Sequence, residues 1–406
     1  MYIKRYIYPK MVEKIDEDDI LLVTGARQTG KTTLLQHLKE ELEAKKELCF
    51  YINLEDSSMV ESLDQTPLNL FKILNIDLNK RVFVFIDEIQ YLKNPSNFLK
   101  LLYDNYRGKV KLIVTGSSAF YIDKRFKDSL VGRKYIFHLS TLSLKEFIEF
   151  KEGDDILVNR LSKMVLVEKE RFVRYYNEYI KYGGYPKVIL ANTHEEKLAA
   201  LDEIANTYIK KDVVEAGLKS DKHYYHILKL FASQTGGLVN KLGISVTLGV
   251  STTLIDNYLY VMSKSFHIAF VSPFSNDRKT ETTKMLKVYF LDLGLRNYFL
   301  DNFEYFDIRT DKGAILENLA FRSFYDKDPN DLFIQYWRSK SGAEVDFIIH
   351  RKDAYEIKMQ VRYLNRRSYQ YFIEKYPEVK FHVAVYDIGE KEDIKKEFPI
   401  LNVWDL

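Results

Sequence analysis

A single cysteine, Cys49, stands in a chain of 406 residues, which excludes an internal disulfide and any zinc site built from several cysteines. Long apolar runs are missing as well: stretches such as "VFVFI" are far too short to cross a bilayer, so no membrane association is expected. The opening "MYIKRYIYPK" lacks the apolar core of a secretory signal, and the expectation is a soluble, cytoplasmic protein. Neither sign of charge dominates. With 61 Lys and Arg against 58 Asp and Glu, the net +3 gives no global reason to prefer nucleic acid, although local patches could still bind it. Burial, by contrast, is ample: 46% of residues are hydrophobic and 14% aromatic, enough for two or three domains, and long disorder is not expected.

The first chemical signal is "VTGARQTGKTTLLQHLKEEL", Val23 to Leu42. Gly25, Gly30, Lys31 and Thr32 have the spacing of a P-loop. The preceding "DILLVTG" reads as a buried strand, and the following residues place Leu34, Leu35, Leu38 and Leu42 along one helical face. Strand, glycine loop and helix in that order let the backbone N–H groups of Gly25, Ala26, Arg27, Gln28, Thr29, Gly30, Lys31, Thr32 and Thr33 gather on phosphates, with the helix N-terminus adding its positive field. Lys31 supplies a point charge, and Thr32 a hydroxyl for Mg²⁺. A dinucleotide fingerprint is excluded, because Arg27 stands where that pattern needs its second glycine.

The partner signal is "RVFVFIDEIQYL", whose apolar run Val82 to Ile86 suits a central strand covered on both faces and ends at Asp87 and Glu88. Asp87 is placed to hold the Mg²⁺ through water, and Glu88 to orient and deprotonate an attacking water, which together make hydrolysis machinery. "LCFYINLE", "VKLIVTGSS" and "KYIFHLS" add three strands, giving a doubly wound, parallel five-stranded α/β sheet. One strand lies between the P-loop and the Asp87 strand, as for a core in which an extra strand separates them. Thr115, Ser117 and Ser118 end the "VKLIVTGSS" strand, and Ser117 is chosen as the contact to the γ-phosphate or the water. Arg133, just before the last strand, reads either as a transition-state arginine given to a neighbouring subunit or as a surface ion pair.

From Leu142 to Leu218 the pattern turns helical, broken by Gly183, Gly184 and Pro186, and reads as a lid with "KYGGYP" as a loop against the core. Next come two helices, a turn and a third helix opening at Ser251, followed by alternating residues from Phe266: the parts of a winged helix. Its third helix, "STTLIDNYLYVMSK", carries only Lys264 as a cation and also Asp256, so packing or oligomerisation competes with contacts to DNA. The end of the chain holds "SGAEVDFIIHRKDAYEIKMQ". Here Asp346, Glu356 and Lys358 share one face of a hairpin, and a turn centred near Lys352 or Asp353 sets Asp346 opposite Glu356, opposite Lys358 or between them, at roughly 5 to 8 Å. Asp346 and Glu356 could bind one Mg²⁺, Lys358 could steady a hydroxide or a scissile phosphate, and the helix "GAILENLAFRSF" could aim Glu317 at the same place.

"LLVTGARQTGKTTLL", "FIDEIQ", "VTGSSA", "LVGR", "LSLKEF", "YGGYP", "VYFLDLGLRN", "GAILENLAF" and "YWRSKSGAEVDF", in this order from about Ile20 to Lys358, resemble the AAA+ ATPases, in particular prokaryotic ATP-binding proteins that join such a core to a C-terminal domain. The resemblance implies an ATP- and Mg²⁺-using core over 1–140, a helical lid over 141–218, a winged helix over 219–275 and a nuclease-like domain over 276–406. It also puts Arg133 in the family's "GR" position, as a finger or sensor in a homo-oligomer. The last domain looks like the PD-(D/E)xK restriction-endonuclease fold, with Glu317, Asp346, Glu356 and Lys358 at the four motif positions. The expected function is ATP hydrolysis coupled to a module acting on DNA; the alternatives are an ATP-dependent switch without nuclease activity and a polypeptide-remodelling ATPase.

Overall fold

The computed structural model describes residues 2–116, 130–159, 164–276, 285–327, 333–339, 341–364, 366–387 and 398–406. The chain forms two compact units, one of Met1–Thr141, Asn206–Leu218 and Lys264–Phe266, the other of Leu142–Ala205, Lys219–Ser263 and His267–Leu406. No helix among the described residues is long and apolar enough to cross a membrane.

The first unit is built on five parallel strands: β1 (Ile20–Thr24), β2 (Leu48–Asn53), β3 (Val82–Asp87), β4 (Val110–Gly116) and β5 (Lys134–His138). Their order is β2-β3-β4-β1-β5, so the strand between β1 and β3 in the sheet is β4, while β2, which lies between them in the chain, forms an edge. Strands buried on both faces need apolar residues at every position, and β1, β3 and β4 are buried throughout. Alternation then divides them. Leu21, Val23, Phe83 and Phe85 pack with Leu34, Leu35, Leu38 and Leu42 of helix Lys31–Ala44, while Ile20, Leu22, Val84 and Ile86 pack with Phe98, Leu99 and Leu102 of helix Pro95–Tyr106. Helices on both faces leave the C-terminal ends of the strands open for chemistry.

The second unit contains a seven-stranded mixed sheet in the order β12-β11-β10-β9-β8-β6-β7. Its strands are β6 (Ile268–Pro273), β7 (Lys287–Phe290), β8 (Ile334–Arg338), β9 (Glu344–Ile349), β10 (Asp353–Gln360), β11 (Lys380–Asp387) and β12 (Ile400–Asn402). Helices Asp221–Ser233, Lys241–Leu248 and Thr252–Lys264 precede the antiparallel pair β6–β7, in the element order expected for a winged helix. That pair is not a separate wing, because β6 also runs parallel to β8, and strands on either side of residue 275 therefore share one sheet.

The β9–β10 hairpin turns at His350 and Arg351, both with left-handed φ (49° and 58°), and Lys352 N–H closes it on the Ile349 carbonyl at 3.0 Å. The pairs Asp353 with Ile349 and Tyr355 with Phe347 centre the turn on Arg351, earlier than the sequence suggested. Carried one step further, that register sets Asp346 beside Glu356, one of the arrangements left open.

"YGGYP" and "LDLGLRN" form one backbone clamp within the second unit. Asp292 caps helix Leu293–Leu300 by accepting from Leu295 N–H at 3.0 Å, and its other oxygen accepts Gly184 N–H at 2.8 Å. Asn297 donates to the Ile180 and Lys181 carbonyls at 2.7 and 3.1 Å, at the end of helix Leu166–Tyr182. Glycine is needed for the approach: a Cβ on Gly294 would lie 2.0 Å from the Tyr182 carbonyl oxygen, and one on Gly183, at φ +73°, 2.1 Å from Asp292 Oδ1. Gly294→Ala should therefore lower stability by about 3 kcal/mol or more. Gly313→Ala, whose Cβ meets nothing within 4 Å, should be near neutral. Denaturant midpoints of the two variants, measured side by side, check this.

Candidate nucleotide site

The loop after β1 turns into helix Lys31–Ala44 through Gln28 (φ 64°) and Gly30 (φ 93°), and its closeness to the β5 end leaves no room for a side chain at residue 25, where a Cβ would fall 2.1 Å from the Leu139 carbonyl oxygen. Ala26 and Arg27 are buried, Thr29 is fully buried and returns its hydroxyl to the Ala26 carbonyl at 3.0 Å, and Thr33 is exposed. Arg5 braces the loop from outside, donating to the Thr29 carbonyl at 2.9 Å and the Ser140 carbonyl at 2.6 Å. Nothing in the sequence marked Arg5, which stands far upstream in the chain.

Lys31 folds its ammonium back on the loop, 3.1 Å from the Gly25 carbonyl and 2.7 Å from that of Ala26. Burial pushes its pKa down to about 8, against the upward pull of Glu88, with Arg27 adding to the depression. Thr32 donates to Asp87 Oδ2 at 2.7 Å, so the hydroxyl and carboxylate expected at one Mg²⁺ already touch. Tyr51 from β2 donates to the same oxygen at 2.9 Å, and Thr115 from β4 donates to Asp87 Oδ1. Thr115 also accepts the Glu88 N–H at 3.0 Å. Glu88 stands at φ 58° and receives the Gln90 amide on Oε2.

Of the hydroxyls considered at the β4 end, Thr115 is the one tied to this group; Ser117 and Ser118 lie outside the described residues. The register of β3 on β4, Ile86 beside Val114, puts Thr115 next to Asp87 and is the signal that would have selected it. Tyr51 carried no such mark. Arg133 precedes β5, the neighbour of β1 in the sheet, and so lies at the N-terminal end of the strands, about 16 Å of strand away from the loop, where it pairs with Asp104 at 2.8 Å. The ion-pair reading is what this chain shows for it. Arg27 turns its side chain to Asp212 at 2.9 Å and Glu215 at 2.5 Å, both on helix Ile209–Glu215.

In the second unit the structure brings Asp346, Glu356 and Lys358 together. Asp346 Oδ2 accepts Ile357 N–H at 2.9 Å; Glu356 Oε1 accepts from Lys358 and, at 3.0 Å, from Tyr369, while the buried Oε2 has no hydrogen-bond partner. Burial, reinforced by Asp346 and opposed by Lys358, raises the Glu356 pKa to about 8. Lys287 bridges Glu317 to the group: its ammonium lies 2.8 Å from Glu317 and 4.0 Å from Asp346 and also contacts Glu344. Tyr289 donates to Glu317 as well, and burial lifts this carboxyl to about 7. Among the described residues no set of three or more His, Cys, Asp or Glu side chains could hold a metal. Lys287 and Tyr289 were missed by sequence reasoning; Glu344, two residues before Asp346 on the same strand face, was within reach of parity.

Residues 17–148 match the family model described as an AAA domain, 173–305 match a domain of unknown function, DUF8612, and 312–406 match another, DUF4143. An uncharacterized protein of Methanocaldococcus jannaschii is 29% identical over 352 residues, 83% of this chain and 73% of the relative. One of Haemophilus influenzae is 26% identical over 362 residues, 85% and 82% of the two chains. Among solved structures, domain III of the replication initiation protein DnaA of Thermotoga maritima aligns with TM-score 0.31 and 17% identity, over 52% of this chain and 92% of that one. A signal transduction ATPase with a tetratricopeptide repeat sensor from Pyrococcus horikoshii aligns with TM-score 0.29 and 13% identity, over 82% and 46%. The AAA domain match and the P-loop on its parallel sheet support an AAA+ ATP-binding core.

Thr115→Val keeps the shape of the side chain but leaves buried Asp87 Oδ1 and Glu88 N–H short of a partner. A stability loss of about 1–3 kcal/mol is expected in denaturant titration, where Thr115→Ser should recover most of it.

Proposed function

We propose that the chain is a Mg²⁺-dependent ATPase of the AAA+ kind, which binds ATP on Gly25 to Thr33, hydrolyses it with Glu88 as general base and couples the cycle to a C-terminal module acting on DNA. The observation that carries the ATPase reading is the meeting of Thr32, Asp87 and Thr115 beside Lys31 and Glu88 at the C-terminal ends of β1, β3 and β4, the place where open parallel sheets bind ligands. Phosphates would take the loop N–H groups and draw the Lys31 ammonium off the Gly25 and Ala26 carbonyls. Thr32 and Asp87 fit Mg²⁺, being hard oxygen donors already side by side. Bound there, the ion would neutralise charge on the phosphates. Glu88 would orient water and take its proton, with the Gln90 amide holding the carboxylate in place. Arg133, just before β5 at the end remote from the P-loop, stands too far from its own site to serve it, so the proposed homo-oligomer would use it only on a neighbour's nucleotide.

Lys31→Ala should weaken ATP binding about 10- to 100-fold by removing a charge-assisted contact. Glu88→Gln should retain binding and lower turnover about 10²- to 10⁴-fold. Calorimetry and phosphate release separate the two effects, and parent-rate turnover by the Glu88 variant would end its assigned role. The same phosphate assay with duplex DNA, single-stranded DNA and peptide identifies the polymer. Stimulation by either DNA supports the coupling, and stimulation by peptide alone makes the chain a polypeptide remodeller.

Metal-dependent phosphodiester cleavage is a second reading, favoured by the partnerless buried Glu356 Oε2 and by Asp346 on the same face of the β9–β10 hairpin. These two carboxylates fit a divalent ion with Lys358 alongside; Glu317 is held by Lys287 and Tyr289. Mn²⁺ should raise the wild-type melting temperature by a few degrees and leave Asp346→Ala unmoved. Nicking that requires both Asp346 and Lys358 marks a nuclease. Metal-insensitive melting without nicking leaves an ATP-dependent switch whose acidic cluster is structural.

A further inference from the structure

Helix Ile209–Glu215 holds both halves of the nucleotide site. Asp212 and Glu215 grip the Arg27 guanidinium of the P-loop at 2.9 and 2.5 Å, and Lys211 donates to the Tyr91 hydroxyl at 2.9 Å, in the turn that carries Glu88 and Gln90. The grip is buried: the Arg27 side chain is 7% exposed and that of Asp212 2%. It is also close to where phosphate would go, since Asp212 acts electrostatically on Lys31, and Glu88 acts on both Lys31 and Arg27. Two carboxylates thus hold one of the two loop cations at the front of the site. The stretch 206–218 groups with the first unit, although the chain on both sides of it belongs to the second.

From this arrangement we infer that Arg27, Asp212 and Glu215 form a latch on the phosphate loop that ATP binding releases. The inference rests on the nucleotide reading above and adds its regulation. A triphosphate in the loop brings several negative charges next to Asp212 and Glu215 and offers Arg27 a second anionic partner of matching geometry. Like charges then repel the helix while the guanidinium changes hands. Linkage makes the effect reciprocal: whatever factor ATP takes from the latch, the latch takes from ATP affinity, typically about 5- to 150-fold for coupled sites. Because residues 209–215 are continuous in the chain with second-unit segments on either side, their release gives the phosphate site a covalent path to the rest of the molecule.

Two measurements on the full chain test the latch. Calorimetric titration with Mg²⁺ and AMPPCP should show Asp212→Asn combined with Glu215→Gln binding about tenfold more tightly than wild type. Hydrogen exchange should show the 209–215 amides of wild type exchanging at least several-fold faster once AMPPCP is added, and those of Arg27→Lys exchanging fast without it, since lysine keeps the charge and loses the fork. Equal or weaker binding by a normally melting double variant overturns the latch, as does slower or unchanged exchange in wild type, which would make the contact a fixed strut. If the double variant does not fold, the wild-type exchange result decides alone. Absence of AMPPCP binding to wild type would instead refute the nucleotide reading itself.

Discussion

The first unit depends on one buried carboxylate. Asp87 is 1% exposed and accepts hydroxyls from three different elements: Tyr51 of β2, Thr32 at the start of the P-loop helix and Thr115 of β4. A charge in such a place costs more than a neutral group unless every lone pair is met, and hydroxyl donors meet it without adding a net cation. The choice of hydroxyls has a chemical consequence. Thr32 donates to Asp87 here, but its oxygen keeps lone pairs, so a cation entering between them finds two acceptors in place of a donor and an acceptor. A lysine at residue 32 would satisfy Asp87 equally well and block that exchange.

The same economy governs four cations at the two clusters. Lys31 waits on the Gly25 and Ala26 carbonyls, Arg27 on Asp212 and Glu215, Lys287 on Glu317 and Glu344, and Lys358 on Glu356. Each cation has an acceptor of the kind that an incoming anion would replace, which offsets the cost of burying the charge. The two clusters differ in what is left over. At the nucleotide site the acceptors of Lys31 are backbone carbonyls, whose release costs little beyond resolvation; in the second unit the acceptors are carboxylates, of which burial raises the pKa of Glu317 and Glu356, and they repel one another once their cations leave.

How much of this could be read from the sequence follows from the range of the interaction involved. The P-loop, the buried strands and the Leu34, Leu35, Leu38 and Leu42 stripe depend on spacing within one segment, and they stand as read. The position of β4 between β1 and β3 depends on pairing between segments far apart, which periodicity does not encode. Thr115 could have been placed beside Asp87 only by knowing that β3 and β4 pair in register. The hairpin at Asp346 and Glu356 shows a smaller gap: parity identified the shared face, but the turn centre depended on His350 and Arg351 both adopting left-handed φ, which neither residue type announces.

The side-chain partners were the least legible because a salt bridge constrains chemistry and leaves sequence separation free. Arg27 and Asp212 are 185 residues apart, and each reads locally as something ordinary, a loop arginine and a helix acid. The glycine pairs are an intermediate case. Gly183 and Gly184 read locally as a helix break, and Gly294 as a residue near a helix start, yet the two close approaches require each other: without a hydrogen at residue 294, Tyr182 could not bring its carbonyl near, and Asp292 could not reach Gly184 N–H. A glycine in a helical first turn, where Ala would propagate the helix better, is a local cost that only a tertiary neighbour explains. Residues that break a local rule are therefore where a single sequence points beyond its own segment, and Arg27, standing in a phosphate loop where glycine or another small residue would serve the backbone equally well, is such a residue.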